Sequence, residues 1–243
     1  MNRPTGYEPL YVLKPVDTDV WVCDGGWIRF YGMPFPTRMT VIRLKTGDLW
    51  VHSPVMDHAG LAEAVAALGP VRYLVAPNWI HYAWIPAWQA RFRRATTWGS
   101  PGVKARAESR GMRLHLDHEL GDAPPEDWAG QIDQRLAVSA WHREVVFFHR
   151  ASRTLVLTDL IENFEPEHMP WWMRPLIRLG RVRDPDGRMP RDIEASFRRR
   201  PEHFRDVVQT MIGWAPERVV LAHGRWYDRN GTAELRRAFR TVL

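Results

Sequence analysis

The sequence predicts an α+β fold in which two β-sheets face each other and helices cover their outer faces. The first reason is the order of the predicted elements: strands, a helix, a strand and helices are followed by strands, a helix, a strand and a helix. The second reason is that the spacing of apolar residues alternates between short β-like runs and helical periodicity. These observations predict a four-layer αβ/βα sandwich, and we expect residues 1–243 to form one domain with a substantial core.

Four short strands are predicted to open the fold as an antiparallel meander. Apolar and β-branched residues mark the strands, and turn signals at 15–19 and 45–48 separate them. The predicted strands cover residues 10–13, 20–23, 39–44 and 49–52.

A change to helical spacing follows. A helix is predicted at 57–68, where apolar residues recur every three or four positions until Gly69-Pro70 ends the pattern. Strands and helices then alternate, which predicts a partly parallel sheet with both faces covered. The strands are 71–76 and 95–98, and the helices are 85–94 and 101–110.

The second half of the chain repeats this organisation without repeating the sequence. Apolar runs predict three strands, then a helix, a strand and a closing helix. The strands are 134–139, 144–149, 154–158 and 218–222, and the helices are 202–214 and 233–242.

Residues 165–200 are predicted to be an insertion. The segment is rich in proline and arginine and contains MPWWMRPLIRLGRV, in which Pro170 and Pro175 restrict any helix to short pieces. Three uses remain open: packing on the protein's own core, a lid over a site, or contact with a membrane surface or partner. We rank packing first, a lid second and membrane contact third.

Composition restricts the partners and the compartment. The net charge is +6, but no block of five or six like charges occurs, so we expect solvated arginines and no nucleic-acid partner. The single cysteine, Cys23, excludes an intramolecular disulfide framework and CxxC zinc sites. No signal peptide and no apolar span of about 18 residues is recognisable, so we expect a cytoplasmic protein.

Four polar residues follow predicted strands, where loops at one end of a sheet converge on a site. Three imidazoles and one carboxylate suit zinc, iron or manganese. The alternatives are a hydrogen-bonded structural histidine, an aspartate that caps the next segment, and a tight turn at the last histidine. The four residues are His81, His142, Asp159 and His223.

Four segments carry a resemblance to a known family over nearly the whole chain. In chain order they are TVIRLKTGDLWVHSPV, VRYLVAPNWIHYAW, EVVFFHRASRTLVLTDLIENF and VVLAHGRWYD. The sequence resembles the metallo-β-lactamase superfamily, and more closely its DUF4336 branch. The resemblance implies that the sandwich is of the metallo-β-lactamase type.

The resemblance also assigns site residues. The superfamily's HxHxDH signature falls on residues 78–83, where Asn78, Ile80, Tyr82 and Ala83 replace its ligands and His81 is out of register. His52 stands where the superfamily has the aspartate of its early strand-end turn. Asp159 matches the bridging aspartate, His223 matches the last histidine ligand, and His142 matches the third-motif histidine. At most four ligands can be named, which favours one metal ion over two.

The resemblance implies a divergent metal-dependent hydrolase. Its substrate would be an ester, amide or lactone of an apolar small molecule, attacked by a metal-bound hydroxide. Asp159 and His223 would be the catalytic core ligands, and the predicted apolar pocket is lined by Trp79, Tyr82, Trp84 and Trp172. The alternative is a non-catalytic binding or scaffold protein that has lost the metal. For Asn78, we favour stabilisation of a turn over donation to an oxyanion.

Overall fold

Two β-sheets packed face to face form the centre of the protein. The computed structural model describes residues 7–58 and 60–243 of the chain. Helices cover the outer face of each sheet, and separate clusters of buried apolar residues lie between the sheets and beneath each helical layer. The predicted α+β sandwich is therefore confirmed.

The first sheet has seven strands that follow one another in chain order. The first four strands are antiparallel neighbours, as predicted, and the last four run parallel to one another. The strands are β1 (Leu13–Asp17), β2 (Val20–Phe30), β3 (Met33–Arg43), β4 (Leu49–His52), β5 (Val71–Ala76), β6 (Thr96–Gly99) and β7 (His118–Glu119).

The second sheet has four strands in the order β11-β10-β9-β8. Three of them form an antiparallel meander, and the last strand in the chain joins the sheet parallel to β10. The strands are β8 (Ile132–Val138), β9 (Arg143–His149), β10 (Thr154–Val156) and β11 (Arg218–Val220).

Six of the seven α-helices in the described ranges cover the two sheets. The first sheet carries α1 (Leu61–Ala66), α2 (Ile85–Arg91) and α3 (Val103–Ser109), and the second carries α5 (Arg191–Ser196), α6 (Pro201–Gly213) and α7 (Gly231–Ala238). The remaining helix is α4 (Arg174–Gly180), which lies with α5 in the 165–200 segment. Among the helices described, none has both the length and the apolar character needed to cross a bilayer.

Strand β9 shows how the sequence builds two apolar layers at once. Its side chains alternate between the faces of the sheet. Val145 and Phe147 point toward the first sheet, where Phe147 lies 4.8 Å from Trp50 between ring centroids. Val146 and Phe148 point outward, into the cluster beneath α6 and α7. The uninterrupted apolar run of β9 therefore reflects burial on both faces.

Several element boundaries differ from the predictions; for example, β2 and β3 each have 11 residues where much shorter strands were predicted. The first strand begins at Leu13 instead of residue 10. The turn between β1 and β2 covers residues 18–19 instead of the predicted 15–19. The helix predicted at 57–68 covers only Leu61–Ala66, and Ala59 lies outside the described residues. His58 precedes that helix and stacks on Tyr11 at 4.6 Å, a long-range contact that local periodicity does not encode. The two-residue strand β7 was not predicted.

The 165–200 segment consists of short helical pieces separated by irregular chain, as its prolines predict. Its inner face includes Met173 and Ile177, which pack on Phe164 and on Met33 and Phe35 of β3. Its outer face leaves large apolar side chains exposed: Trp171, Trp172, Leu176 and Leu179. The segment thus packs on the protein's own core along one face.

Trp50 and Trp171 provide a matched test of where the core lies. Trp50 is fully buried between the sheets, whereas Trp171 is 78% exposed. We expect Trp50→Ala to lower the free energy of unfolding by about 3 to 5 kcal/mol, because it leaves a cavity that the sheets cannot close. Trp171→Ala should change it by less than about 0.5 kcal/mol. Urea unfolding monitored by circular dichroism measures both, and equal losses would contradict the assigned core.

Candidate metal centre

The residues predicted at the strand ends do converge at one edge of the two sheets. Asn78 and His81 follow β5 in the first sheet, Asp159 follows β10 in the second, and His223 follows β11. His81, Asp159 and His223 form a group whose potential ligand atoms all lie within 4.8 Å of one another. The sheets therefore bring together three residues that are far apart in the sequence.

One carboxylate oxygen is the centre of this group. Asp159 Oδ1 lies 3.2 Å from His223 Nε2 and 3.4 Å from His81 Nε2. Asp159 and His223 are buried, and the His81 side chain is only 10% exposed. Two imidazole nitrogens and one carboxylate oxygen are ligand types that zinc, iron and manganese accept.

His223 makes a hydrogen bond through Nδ1, and this bond determines whether Nε2, the nitrogen that faces Asp159, carries a proton. His223 Nδ1 lies 2.7 Å from the carbonyl oxygen of Pro36. A carbonyl oxygen only accepts, so Nδ1 carries the proton. In the neutral ring, Nε2 then directs a lone pair at Asp159 Oδ1. Two lone pairs at 3.2 Å require a proton or a cation between them, which makes this donor set fit a metal ion.

His81 is oriented in a comparable way, by Ser53. Its Nδ1 lies 2.7 Å from Ser53 Oγ, and Ser53 sits in the left-handed region with φ +50° just after β4. Burial alone would lower the pKa of His81, but the charges of Asp159 and Glu144 and the hydrogen bond to Asp159 hold that pKa above its ordinary value. The ring is therefore held in an electrostatic environment that favours a positive charge.

Asp159 is held as a carboxylate from several sides. Asn78 Nδ2 donates to its Oδ2 at 2.5 Å, and its own backbone N–H donates to Glu144 Oε2 at 2.9 Å. Burial would raise the pKa of Asp159, but His81 and His223 hold it well below its ordinary value. Because Oδ2 is occupied by Asn78, Oδ1 is the oxygen left to face the two imidazoles.

His142 lies apart from that group. Trp79 Nε1 donates to His142 Nδ1 at 3.3 Å, so the proton of the neutral ring is on Nε2, which lies 3.2 Å from Glu144 Oε2. Both ring nitrogens are thus engaged within the protein. His142, Glu144 and Asp159 also lie close enough to form a second potential ligand group, in which all three residues are fully or almost fully buried.

Asn78 forms the turn that positions His81. Its Oδ1 accepts hydrogen bonds from the backbone N–H groups of Ile80 and His81 at 2.9 and 3.0 Å. This is the turn-stabilising role favoured from the sequence. The same side chain also donates to Thr158 Oγ1 at 2.8 Å and to Asp159, contacts that its position after Pro77 did not predict.

The loop that carries His223 is anchored to the first sheet by Arg38 of β3. This buried guanidinium donates to the carbonyl oxygens of Leu221 and Gly224 at 2.6 and 2.8 Å and is paired with Asp24 at 2.8 Å. Gly224 has φ +79°, and a Cβ there would collide with the backbone carbonyl of Asn163. Glycine is therefore required directly after the histidine.

A cavity of about 620 Å³ opens above the group, and its lining is mostly apolar. Two of the four predicted aromatic residues, Trp79 and Tyr82, line it. Trp84 packs instead against the core beneath the helices of the first sheet, and Trp172 lies half exposed on the 165–200 segment. That segment contributes Pro190 and Ile193 to the lining.

Glu162 lines the same cavity and was missed in the sequence. It is 9% exposed, and none of the hydrogen bonds found within residues 7–58 and 60–243 involves its carboxyl group. Burial, together with the charges of Asp159, Asp192 and Glu144, raises its pKa well above the ordinary value. A charged residue inside the apolar run LIENF, three residues after Asp159, is the signal that points to it.

His52 is fully enclosed between the sheets. It stacks on Trp50 at 5.5 Å, and its Nε2 has no hydrogen-bond partner within the part of the chain that the structure describes. Burial, and then the charge of His81, lower its pKa to about 3. The imidazole that the resemblance aligns with the superfamily's aspartate therefore packs in the core, and its lowered pKa favours the neutral ring.

Comparison with family models identifies the chain. The model described as a domain of unknown function, DUF4336, matches residues 18–179, about two thirds of the sequence. The chain belongs to the DUF4336 family. No curated protein is significantly similar to this DUF4336 protein in sequence.

Solved structures show that the DUF4336 chain has the metallo-β-lactamase fold. It is similar to FIM-1 from Pseudomonas aeruginosa in the mono-zinc form, with 12% identity, a TM-score of 0.62 and coverage of 96% of both chains. It is also similar to a metallo-β-lactamase from Pontibacter korlensis, with 11% identity, a TM-score of 0.62, and coverage of 95% of this chain and 98% of that one. At these identities the likeness concerns the fold alone.

The enclosed His52 makes stability depend on pH in a testable way. Because its folded pKa lies near 3 and its unfolded pKa near 6.5, the unfolded state binds one more proton between those values. This contribution is present above pH 6.5 and is lost as pH falls toward 3. We expect the unfolding free energy of metal-free wild type to fall with acidification by about 1.4 kcal/mol per pH unit more than that of His52→Leu. Urea unfolding measures this free energy from pH 7 to 4. If it depended on pH equally in the wild type and in His52→Leu, the result would contradict a buried neutral imidazole.

Proposed function

We propose that this protein is a metal-dependent hydrolase that holds one transition metal ion through His81, Asp159 and His223. The observation that carries the proposal is the approach of two imidazole Nε2 atoms to one carboxylate oxygen, at 3.2 and 3.4 Å, on the floor of an apolar cavity. The proposed substrate is an ester, amide or lactone of an apolar small molecule.

A single ion is supported by what surrounds the group. Asn78 stands at the start of the superfamily signature, and its amide donates to Asp159 Oδ2. The oxygen that a second ion would need is therefore already bound to an N–H donor. The ring nitrogens of His142 are engaged by Trp79 and Glu144. The Glu144 carboxylate accepts the backbone N–H groups of Thr158 and Asp159 at 2.8 and 2.9 Å.

Three side chains leave room for reaction chemistry. Structural zinc sites use four protein ligands, whereas catalytic sites use three and keep one position open. When bound, a divalent cation at such a site supplies Lewis acidity and activates water for attack on a carbonyl carbon. The protein's own contribution is to fix both imidazoles through Ser53 and the Pro36 carbonyl, and to exclude bulk water with the aromatic walls of the cavity.

Glu162 is the proposed proton donor. Burial and the neighbouring carboxylates raise its pKa well above the ordinary value, which favours the protonated carboxyl group, and it lines the same cavity as Asp159 and His223. Hydrolysis of an ester or amide needs a proton at the departing oxygen or nitrogen, and a neutral carboxylic acid held near the reacting centre can deliver it.

Elemental analysis by mass spectrometry of protein purified without chelator tests the ligand set. We expect close to one equivalent of zinc, iron or manganese in the wild type and loss of that metal in Asp159→Ala and His223→Ala. His142→Gln should retain the metal, because His142 lies outside the proposed ligand set. His115→Ala, which removes an imidazole that is 70% exposed, is the control for non-specific binding.

Activity is then measured on the same preparations with ethyl octanoate, whose alkoxide leaving group requires a proton. Turnover that is lost in Asp159→Ala and falls in Glu162→Gln, with the metal still bound in the latter, supports the assigned roles. A wild type without stoichiometric metal contradicts the proposal and favours the non-catalytic binding protein. Full metal retention in Asp159→Ala would contradict the ligand set.

A further inference from the structure

The cavity above the metal group is chemically divided along its depth. The histidines and carboxyl groups of the lining form its floor: His81, His142, Asp159, Glu162 and His223. Aromatic and aliphatic side chains form most of its walls, and three arginines complete the lining: Arg29, Arg106 and Arg110. Cavities of this size and composition hold small molecules and bury most of their surface. A ligand that fills this one meets apolar surface along its body and positive charge from the arginines.

The three arginines lack carboxylate partners within residues 7–58 and 60–243. Arg29 is exposed on β2 and lies 6.0 Å over the ring of Trp27, whereas Arg110, also exposed, directly follows α3. Many arginines elsewhere are paired, for example Arg135 with Asp122 and Arg150 with Asp133. Three guanidinium groups without a carboxylate partner in the described part of the chain, from β2, from α3 and from the residue directly after α3, therefore line one cavity and remain available to an anionic ligand.

Arg106 packs on a cavity wall whose position is fixed by hydrogen bonds to the residues around the metal group. Its guanidinium carbon lies 4.5 Å from the ring centroid of Trp79, and the Trp79 indole N–H is held by His142, which lies against Glu144. The ring of Trp141 lies 6.0 Å from Trp79 and continues the apolar wall. An apolar body packed on these two indoles would lie beside Arg106, in the same cavity that the metal group lines.

We propose that the ligand of this cavity is an anionic amphiphile: an apolar chain or ring system that carries one carboxylate or phosphate group. The arginines bind the anionic group, the indoles bind the apolar body, and the reactive carbonyl of a substrate points toward the floor. The placement of the carbonyl rests on the proposed function, whereas the binding of the anion and of the apolar body does not. A cationic amphiphile is opposed by the arginines, and a small hydrophilic anion lacks contacts with the walls.

Isothermal titration calorimetry with four small probes, each kept below its solubility limit, tests the ligand class on metal-free full-length protein. The probes are decanoate, decanol, decyltrimethylammonium and acetate. We expect decanoate to bind at least roughly tenfold more tightly than decanol and decyltrimethylammonium, and acetate not to bind measurably. The metal is removed beforehand so that the measured affinity for decanoate does not include binding of its carboxylate to the metal ion.

Matched variants separate the arginines from the apolar walls. We expect Arg106→Gln/Arg110→Gln to weaken decanoate binding roughly tenfold and to leave decanol binding unchanged. Arg113→Gln is the control. Arg113 also follows α3 but is not part of the lining, so this substitution should leave the affinity for decanoate unchanged. Decanol binding as tightly as decanoate, or a double variant with wild-type affinity for decanoate, would overturn the assignment.

The outcome is independent of whether the metal proposal holds. Decanoate binding by a protein that never acquires stoichiometric metal would support the ligand class and refute the hydrolase. A stoichiometric metal ion in a protein that binds decanoate no better than decanol would support the metal site and refute the ligand class.

Discussion

A buried hydrogen-bond network that joins the two sheets governs the geometry of the site. Asn78 follows β5 of the first sheet, whereas Glu144 lies on β9 and Asp159 follows β10 of the second sheet, and all three are at most 3% exposed. Asn78 donates to Asp159, and Glu144 accepts from the backbone N–H groups of Thr158 and Asp159. Leaving any of these buried polar groups without a partner is costly. The network therefore fixes both the separation of the sheets at this edge and the direction in which Asp159 presents its free oxygen.

The same network explains why a broken signature coexists with a convergent group of ligand residues. In the superfamily that the sequence resembles, the loop after this strand supplies most of the metal ligands. Here Asn78 bonds to Asp159 and to the backbone of its own loop, and that turn brings His81 within 3.4 Å of the carboxylate. At the position where the resemblance places the first ligand of the signature, the chain has an amide that donates to the Asp159 carboxylate. The turn that Asn78 stabilises is thus what places the out-of-register His81 beside Asp159.

The sequence predicted much of the fold because its evidence is local. Apolar periodicity located most strands and helices, and the polar residues at strand ends indicated where Asp159, His223 and His81 would meet. Ser53, the Pro36 carbonyl and Glu144 were not predicted, because their roles arise from contacts across the sheets that no local pattern encodes. Trp84 and Trp172 illustrate the same limit: aromatic composition indicated an apolar pocket, but only the packing determines that Trp79 and Trp141 line it. Glu162 was overlooked although a carboxyl group within an apolar run is itself a signal.

Anomalous X-ray scattering at the zinc absorption edge, from crystals of the protein soaked in a zinc salt, tests the central claim most directly. The account predicts one strong anomalous peak at about 2.0 to 2.2 Å from His81 Nε2, His223 Nε2 and Asp159 Oδ1, with Asn78 still bonded to Oδ2. A peak between His142 and Glu144, two peaks in the cavity, or no peak beside Asp159 would contradict it.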